Sequence, residues 1–247
     1  MVAPHAALVR SFGALIPLQP VRWTDEGLLC APDLAAEPVW DCPFPLAAVP
    51  RPPITADSPA GLVAGWYRRT EAHAPAPAGF PELVQAAGEG FGPSDHPTTA
   101  MCLAALPHLP DGPALDVGCG SGLLTLAWHR TGRGPVVGFD ADPGAVRHAR
   151  RSAGLMGLDG GSLFRAGRIE ALGPADVRDR VVLANLPPVA HAQLAARLRV
   201  APRSVVLSGF TRRDRDRVLS PYRALGMRRV RAARRGRYEC HVLVGDA

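Results

Sequence analysis

The stretch that decides the fold is PALDVGCGSGLLTLAWHRTGRGPVVGFD, residues 113–140. It reads as an apolar strand, a turn with glycines at 118, 120 and 122, a helix beginning near Ser121, and a second apolar strand that ends on Asp140. A turn with so little side-chain bulk lets a ligand approach the backbone, and the helix directs free N–H groups and its positive dipole end toward that ligand. The motif therefore predicts a binding site for a nucleotide-like cofactor.

Two carboxylates indicate which cofactor this site binds. Asp140 follows Gly122 by 18 residues, at a strand tip where a carboxylate can accept both hydrogen bonds of a ribose diol. The glycine pattern is G-x-G-x-G rather than the G-x-G-x-x-G of dinucleotide sites, and Asp116 stands just before the turn. A carboxylate there repels a pyrophosphate but suits an ammonium or sulfonium group. S-adenosylmethionine carries both cations and is the cofactor that the pattern favours.

The strand and helix signals after this motif predict an α/β fold, a doubly wound Rossmann-like and mostly parallel sheet with an antiparallel C-terminal hairpin. Strands are expected at 136–140, 162–166, 181–185, 203–208, 227–233 and 237–244, and helices at 143–155, 189–198 and 211–224. A further helix is expected around residues 98–106. The carboxyl ends of the parallel strands should then meet in one crevice, which brings Asp116, Asp140, Asn185 and Ser208 together.

Residues 89–247 resemble the class I S-adenosylmethionine-dependent methyltransferases, and among them the PrmA-type enzymes that methylate a ribosomal large-subunit protein. The matching stretches are FGPSDHPTT (91–99), LDVGCGSGLL (115–124) and VVGFDADPGAV (136–146), followed in the same order by ANLPP and VVLSGF. The resemblance implies that the glycine turn and the strand tips hold the cofactor's methionine portion and ribose: Asp116, Gly118, Gly120, Asp140 and Asn185. It also implies that the first motif covers the methionine end: Phe91, Thr98 and Thr99.

The segment Asn185-Leu186-Pro187-Pro188 is the candidate acceptor site. The Asn185 side-chain oxygen and the Leu186 carbonyl can accept N–H bonds from an amine, while the prolines add no competing donor and stiffen the loop. The alternative is that the two prolines only end the strand.

A lysine amine is almost fully protonated at pH 7, so a base or desolvation must supply its neutral form. His96 is assigned this catalytic role together with Asn185, and Asp95 and His191 are further candidates. His96 has a structural alternative, which is to shape the loop, and His191 is expected at the surface. The histidines lack metal-ligand spacing, and no metal is predicted.

Residues 1–88 are expected to form an N-terminal accessory or substrate-recognition region. Short strands are indicated near 21–23 and 27–30, a helix at 59–70 and a linker at 74–79. The hydrophobic content of 47% excludes disorder throughout, and the odd count of five cysteines without a C-x-x-C pair favours reduced thiols. With no apolar run long enough for a membrane span and no cleavage signature, the chain is expected in the cytoplasm, without membrane contact.

The net charge of +6 comes with 28 basic residues, all of them arginine, and eleven of these lie within residues 212–237. This density fits an anionic partner, nucleic acid included, or simply a solvated helix face. The leading functional hypothesis is an N-methyltransferase acting on a protein or peptide amine, with a ribosomal protein implied by the resemblance. The alternatives are an RNA or small natural-product amine as acceptor, or a cofactor-binding module without turnover.

Overall fold

The structure is a computed structural model, and it describes residues 22–24, 27–29, 40–41, 61–87 and 96–245. Its strands, in chain order, are β1 (Arg22–Thr24), β2 (Gly27–Leu29), β3 (Trp40–Asp41), β4 (Gly61–Val63), β5 (Trp66–Thr70), β6 (Glu82–Gln85), β7 (Ala114–Val117), β8 (Val136–Asp140), β9 (Phe164–Ala166), β10 (Val181–Asn185), β11 (Ser204–Thr211), β12 (Arg228–Arg235) and β13 (Tyr238–Val244). Its α-helices are α1 (Pro97–Ala105), α2 (Leu123–Thr131), α3 (Pro143–Leu155), α4 (Gly160–Leu163), α5 (Pro174–Val177), α6 (Pro188–Leu198) and α7 (Arg215–Ala224).

The central sheet has the strand order β3-β12-β13-β11-β10-β7-β8-β9. Strands β11, β10, β7, β8 and β9 are parallel, whereas β13 runs antiparallel to both β11 and β12. The predicted Rossmann-like sheet with an antiparallel C-terminal hairpin is therefore confirmed. The chain moves outward from β7 in both directions, so the carboxyl ends of β7 and β10 form the switch point at which such sheets bind ligands.

The parallel strands are apolar runs because both faces of the sheet are covered. In β10, Val181 and Leu183 pack into one core cluster while Val182 and Ala184 pack into a second. Trp128 of α2 belongs to the first cluster, and Leu194 of α6 belongs to the second. Each fully buried aliphatic side chain contributes about 1.5 to 3 kcal/mol relative to leaving it exposed, so this sandwich fixes the strand tips on which the site depends.

The helix expected at residues 59–70 is wrong. The described residues of this segment, 61–70, form the hairpin β4–β5, in which Val63 pairs with Trp66 across a two-residue turn. Both turn residues have positive φ, 50° at Ala64 and 84° at Gly65, as in the tight hairpin turns that match strand twist. Alternate residues of β5 are buried, and its aromatic residues favour a strand.

The stretch 74–79, expected as a linker, contains no helix or strand. It belongs to the connection between β5 and β6, which lie side by side in parallel within a three-stranded sheet. The Arg69 guanidinium and the Ala76 N–H both meet the Glu82 carboxylate, at 2.5 and 2.7 Å, and close this connection. The strands expected near 21–23 and 27–30 are confirmed as the antiparallel pair β1 and β2.

The small sheet packs directly on the layer that carries the glycine turn. Gln85 Nε2 donates to Ser121 Oγ at 3.0 Å, and the Ala86 N–H donates to Ser152 Oγ at 3.0 Å. Strand β6 is thus attached both to the turn before α2 and to α3. The division of the chain at residues 88 and 89 stays a prediction. No helix in the described part of the chain is long and apolar enough to cross a membrane.

Candidate cofactor and acceptor site

The predicted cofactor turn follows β7 directly. Its glycines have φ values of 68° at Gly118, 53° at Gly120 and 83° at Gly122, all in the left-handed region. The N–H groups of Gly118 and Cys119 donate to the Phe139 carbonyl at 2.9 and 3.0 Å, which fixes the turn beside β8. The backbone is therefore folded into a compact cradle at the carboxyl edge of the sheet, as the sequence predicts.

Asp140 lies at the tip of β8 and faces this turn. Its Oδ2 atom accepts a hydrogen bond from the Gly120 N–H at 2.9 Å, and its Oδ1 atom accepts one from the Asp142 N–H at 2.9 Å. The residue is half-buried. The two backbone hydrogen bonds hold its carboxylate beside the turn, and its contact with a ribose diol stays a prediction.

Asp116 lies deeper than Asp140, beneath the turn. It is only 1% exposed, and its Oδ2 atom accepts hydrogen bonds from Thr125 Oγ1 at 2.7 Å and from the Thr125 N–H at 3.1 Å. Burial raises the pKa of this carboxyl to about 7, the neighbouring charge of Asp140 adds to the rise, and the Thr125 hydrogen bonds oppose it. Asp116 anchors α2 to β7, while its contact with a methionine ammonium stays a prediction.

The first motif contributes through the start of α1. His96 caps this helix: its Nδ1 atom lies 2.7 Å from Thr98 Oγ1 and accepts from the Thr98 N–H at 3.4 Å. The ring also makes an edge contact with Tyr238, with centroids 5.2 Å apart. This geometry supports the loop-shaping alternative for His96, and its catalytic role stays a prediction. Phe91 and Asp95 lie outside the described residues.

Thr99 and Asn185 meet in the structure although 86 residues separate them. Asn185 Nδ2 donates to Thr99 Oγ1 at 3.3 Å, so the start of α1 and the tip of β10 form one wall. Both Thr98 and Thr99 are buried, and Asn185 is half-buried. With its amide nitrogen turned toward Thr99, Asn185 retains a side-chain oxygen for an acceptor amine.

The residues after Asn185 are held by the neighbouring strand β11. The Leu186 N–H donates to the Ser208 carbonyl at 2.9 Å, and a Cβ built on Gly209 would lie 2.4 Å from the Leu186 carbonyl oxygen. Pro187 and Pro188 stand at the N-cap and the first position of α6, where proline is well tolerated. The prolines therefore start a helix, and the Leu186 carbonyl packs over Gly209.

The expectation that His191 lies at the surface is wrong. It is fully buried, and its Nε2–H donates to the Ser208 carbonyl at 2.8 Å, the same oxygen that binds the Leu186 N–H. Burial lowers the pKa of its imidazole to about 4, although hydrogen bonding to the Ser208 and Leu186 backbone opposes the change. The helical spacing of the buried residues His191, Leu194, Ala195 and Leu198 is the signal that places it inward.

Solved structures place this architecture among the Rossmann-like methyltransferase folds. The crystal structure of the ribosomal protein L11 methylase from Lactobacillus delbrueckii subsp. bulgaricus is similar, with a TM-score of 0.61 and 20% identity over 74% of this chain and 96% of that chain. The tRNA (uracil-54, C5)-methyltransferase from Pyrococcus abyssi, solved with S-adenosyl-L-homocysteine, has a TM-score of 0.50 and 17% identity, covering 72% of this chain and 55% of that chain.

The sequence comparison is more specific. The family model described as Ribosomal protein L11 methyltransferase (PrmA) matches residues 83–243. The chain belongs to this family, which confirms the resemblance carried by the three motifs. The ribosomal protein L11 methyltransferase of Methylobacillus flagellatus is 36% identical over 166 residues, 65% of this chain and 52% of that protein. The chain spans about half the length of the curated relatives it matches.

Proposed function

We propose that this protein is an S-adenosylmethionine-dependent N-methyltransferase whose acceptor is a protein amine. The observation that carries the proposal is the glycine turn closed by Asp140, because it joins a low-bulk backbone cradle to a half-buried carboxylate at the adjacent strand tip. Family membership supports the same activity. The ribosomal protein named for the relatives is the proposed acceptor, and a cytoplasmic location is proposed with it.

The residues present fit an adenosyl cofactor with a positively charged end. Asp140 would accept hydrogen bonds from the ribose, the turn at Gly118 and Gly120 would follow the methionine portion, and the buried Asp116 would supply the opposite charge. S-adenosylmethionine supplies a methyl group already activated on sulfonium. The protein's task is then to orient the reactants and to present a neutral amine.

Asn185 is the residue we propose to orient that amine. Its nitrogen donates to Thr99, so its oxygen can accept an N–H bond and direct the amine lone pair toward the methyl group. His96, whose ring contacts Tyr238, is the proposed base.

Calorimetry with S-adenosylhomocysteine tests the cofactor part of the proposal. Asp140→Ala should weaken affinity by about 1 to 3 kcal/mol, because charge-assisted hydrogen bonds to the diol are lost. The matched control is Asp159→Ala, since Asp159 is an aspartate that caps a short helix through the Gly161 N–H. Equal affinities for the wild type and Asp140→Ala would remove Asp140 from the cofactor site.

Methyl transfer tests the acceptor part. Purified protein is incubated with tritium-labelled methyl donor and either L11-type ribosomal protein or size-fractionated lysate, followed by protease or ribonuclease. Label that protease releases supports a protein acceptor. Label that only ribonuclease releases would replace it with RNA, and label in the small-molecule fraction would indicate a small amine. Intact cofactor binding with no transfer to any fraction would favour a module without turnover.

A further inference from the structure

Three exposed arginines lie at the same end of the sheet as the candidate site. We call them the arginine rim: Arg212, Arg213 and Arg237. The Arg212 N–H donates to the Arg237 carbonyl at 2.9 Å, which joins the turn after β11 to the turn between β12 and β13. Strand β11 is parallel to β10, so its end at Thr211 lies on the carboxyl edge that carries Asn185.

A chain of contacts connects the rim with the acceptor residue. The Arg237 guanidinium lies 5.1 Å from the centroid of the Tyr238 ring, and the Tyr238 ring contacts His96 at 5.2 Å. His96 caps α1, and one turn later Thr99 accepts the hydrogen bond from Asn185. The rim therefore lies at the same edge of the sheet as Asn185, and we call the space between them the mouth of the candidate site.

Among the described residues, no carboxylate forms a salt bridge with the arginines of the rim. Arg212, Arg213 and Arg237 form no salt bridge within residues 61–87 and 96–245. Asp214 and Asp216 offset part of the charge, and Asp214 Oδ2 also accepts hydrogen bonds from the Thr211 N–H and hydroxyl. The N-terminus of α1 adds a positive dipole end at the same mouth, with no acidic residue in its first turn.

Other arginines of this basic segment are placed differently. Arg215 binds the buried Glu239 carboxylate through two hydrogen bonds. Burial alone would raise the pKa of Glu239, but the contacts with Arg215 and His241 lower it to about 2. Arg228 pairs in register with Val244, and Val244 pairs with Ser204 at the opposite edge of the sheet. Arg228 therefore lies at the end of the sheet opposite the rim.

We propose that the arginine rim selects a protein acceptor in which acidic residues flank the target amine. This rests on the proposed function, since it assumes a protein amine at Asn185. A local patch of three guanidinium groups at the mouth matches a few carboxylates near one residue of a peptide. A nucleic acid draws its affinity from a longer run of phosphate contacts than the three guanidinium groups of the rim supply.

Binding of short labelled peptides tests the rim without requiring turnover. Each peptide carries one central lysine flanked by Glu, by Gln or by Arg, and its affinity is measured by fluorescence anisotropy with saturating S-adenosylhomocysteine. The Glu peptide should bind about tenfold more tightly than the Gln peptide at low salt, with the Arg peptide weakest and the differences shrinking as salt is added. The double variant Arg212→Gln/Arg213→Gln should remove most of this preference.

The matched control is Arg223→Gln/Arg228→Gln, which removes two exposed arginines remote from the mouth and should keep the preference. Equal affinity for Glu and Gln peptides, or an equal loss in both double variants, would overturn the proposal. A uridine oligonucleotide of equal charge that binds the rim more tightly than the Glu peptide would overturn it in favour of RNA. If Glu peptides bind through the rim but no protein is ever methylated, the rim stands and the proposed function fails.

Discussion

The two halves of the candidate site are built on different principles. The cofactor half, at the tips of β7 and β8, uses backbone N–H groups and two carboxylates, and its key contacts join residues close in sequence, as in Asp140 with Gly120. The acceptor half, at the tips of β10 and β11, uses a loop that is held from behind by His191 and Ser208. A local motif therefore specifies the first half, and long-range packing specifies the second.

The two halves also bury opposite kinds of titratable group. Asp116 is an acid whose pKa is raised by burial to about 7, and His191 is a base whose pKa is lowered by burial to about 4. Burial therefore favours the neutral form of each group, whereas an ammonium bound beside Asp116 would favour its ionised form. Their effects on stability have opposite pH dependence, which makes the comparison testable.

The largest expected effect comes from two glycines that both face Leu186. Gly209→Ala should lower the free energy of unfolding by about 3 to 5 kcal/mol, because φ is +92° and the new Cβ would lie 2.4 Å from the Leu186 carbonyl oxygen. Gly118→Ala should cost only about 1 to 2 kcal/mol, because its closest neighbour is the movable Leu186 Cδ2 atom. Urea unfolding measures both, and a reversed order would show that the Leu186 backbone is not fixed.

The second effect concerns Asp116. Between about pH 4 and pH 7 the folded state binds more protons at this carboxyl than the unfolded chain does, so its contribution to stability falls as pH rises through that window. Asp116→Asn should raise the free energy of unfolding by about 2 to 4 kcal/mol near pH 8, and by about 2 kcal/mol less near pH 5. The same variant should weaken S-adenosylmethionine binding about tenfold, because the carboxylate opposite the ammonium is lost.

Asp159→Asn serves as the control for this experiment, since an asparagine can still cap the helix that begins at Gly160. It should change neither stability nor affinity appreciably. A gain in stability for Asp116→Asn without any loss of cofactor affinity would assign Asp116 to folding alone.

The shape of the turn at the tips of β7 and β8 was predictable from sequence because its signals are local, while its role in cofactor binding stays a prediction. The glycine spacing and the acid at position 140 lie within one strand-turn-helix-strand unit, and the structure brings Gly120 and Asp140 into contact. The hairpin at residues 61–70 was not predictable in the same way, since β5 is sheltered by the parallel partner β6, which itself docks on Ser121 and Ser152. Long-range contacts of this kind override a short helical pattern.

His191 shows the same limit for the acceptor half. Its position in the first turns of α6 suggested a solvated residue, but Phe210 and Tyr222 approach its ring edge-on, with centroids 5.5 and 6.4 Å away. These contacts come from β11 and α7, so the spacing of the buried residues in α6 indicates that His191 points inward but not which rings it meets. The contact of Asn185 with Thr99 has the same long-range origin.

The third effect tests how His191 holds the acceptor loop. His191→Leu should lower the free energy of unfolding by about 1 to 2 kcal/mol near pH 8, because the Ser208 carbonyl loses a buried donor, while His191→Gln can keep an N–H there and should cost less. Between about pH 6.5 and pH 4 the unfolded chain binds more protons at this histidine, so the wild type loses stability as pH falls.

Both His191 variants should lack this part of the decrease in the free energy of unfolding at low pH. Urea unfolding near pH 5 and near pH 8 measures the decrease. The wild type combines the His191 and Asp116 contributions, which oppose each other over this range. Between pH 8 and pH 5, the free energy of unfolding should therefore fall more in Asp116→Asn than in the wild type, and less in His191→Gln. Parallel pH profiles for all three proteins would contradict the assignment of the two buried groups.

The smallest effect separates two tyrosine hydroxyls. The Tyr222 hydroxyl is buried without a hydrogen-bond partner among the described residues, so Tyr222→Phe should be neutral or stabilising by up to about 1 kcal/mol. Tyr238→Phe is the matched control, since its hydroxyl accepts from Arg237 Nη2 at 3.1 Å, and its removal should cost about 0.5 kcal/mol. A clear loss of stability in Tyr222→Phe would mean that this hydroxyl has a partner behind His191, and the packing of the acceptor half would then need a polar contact as well as the three rings.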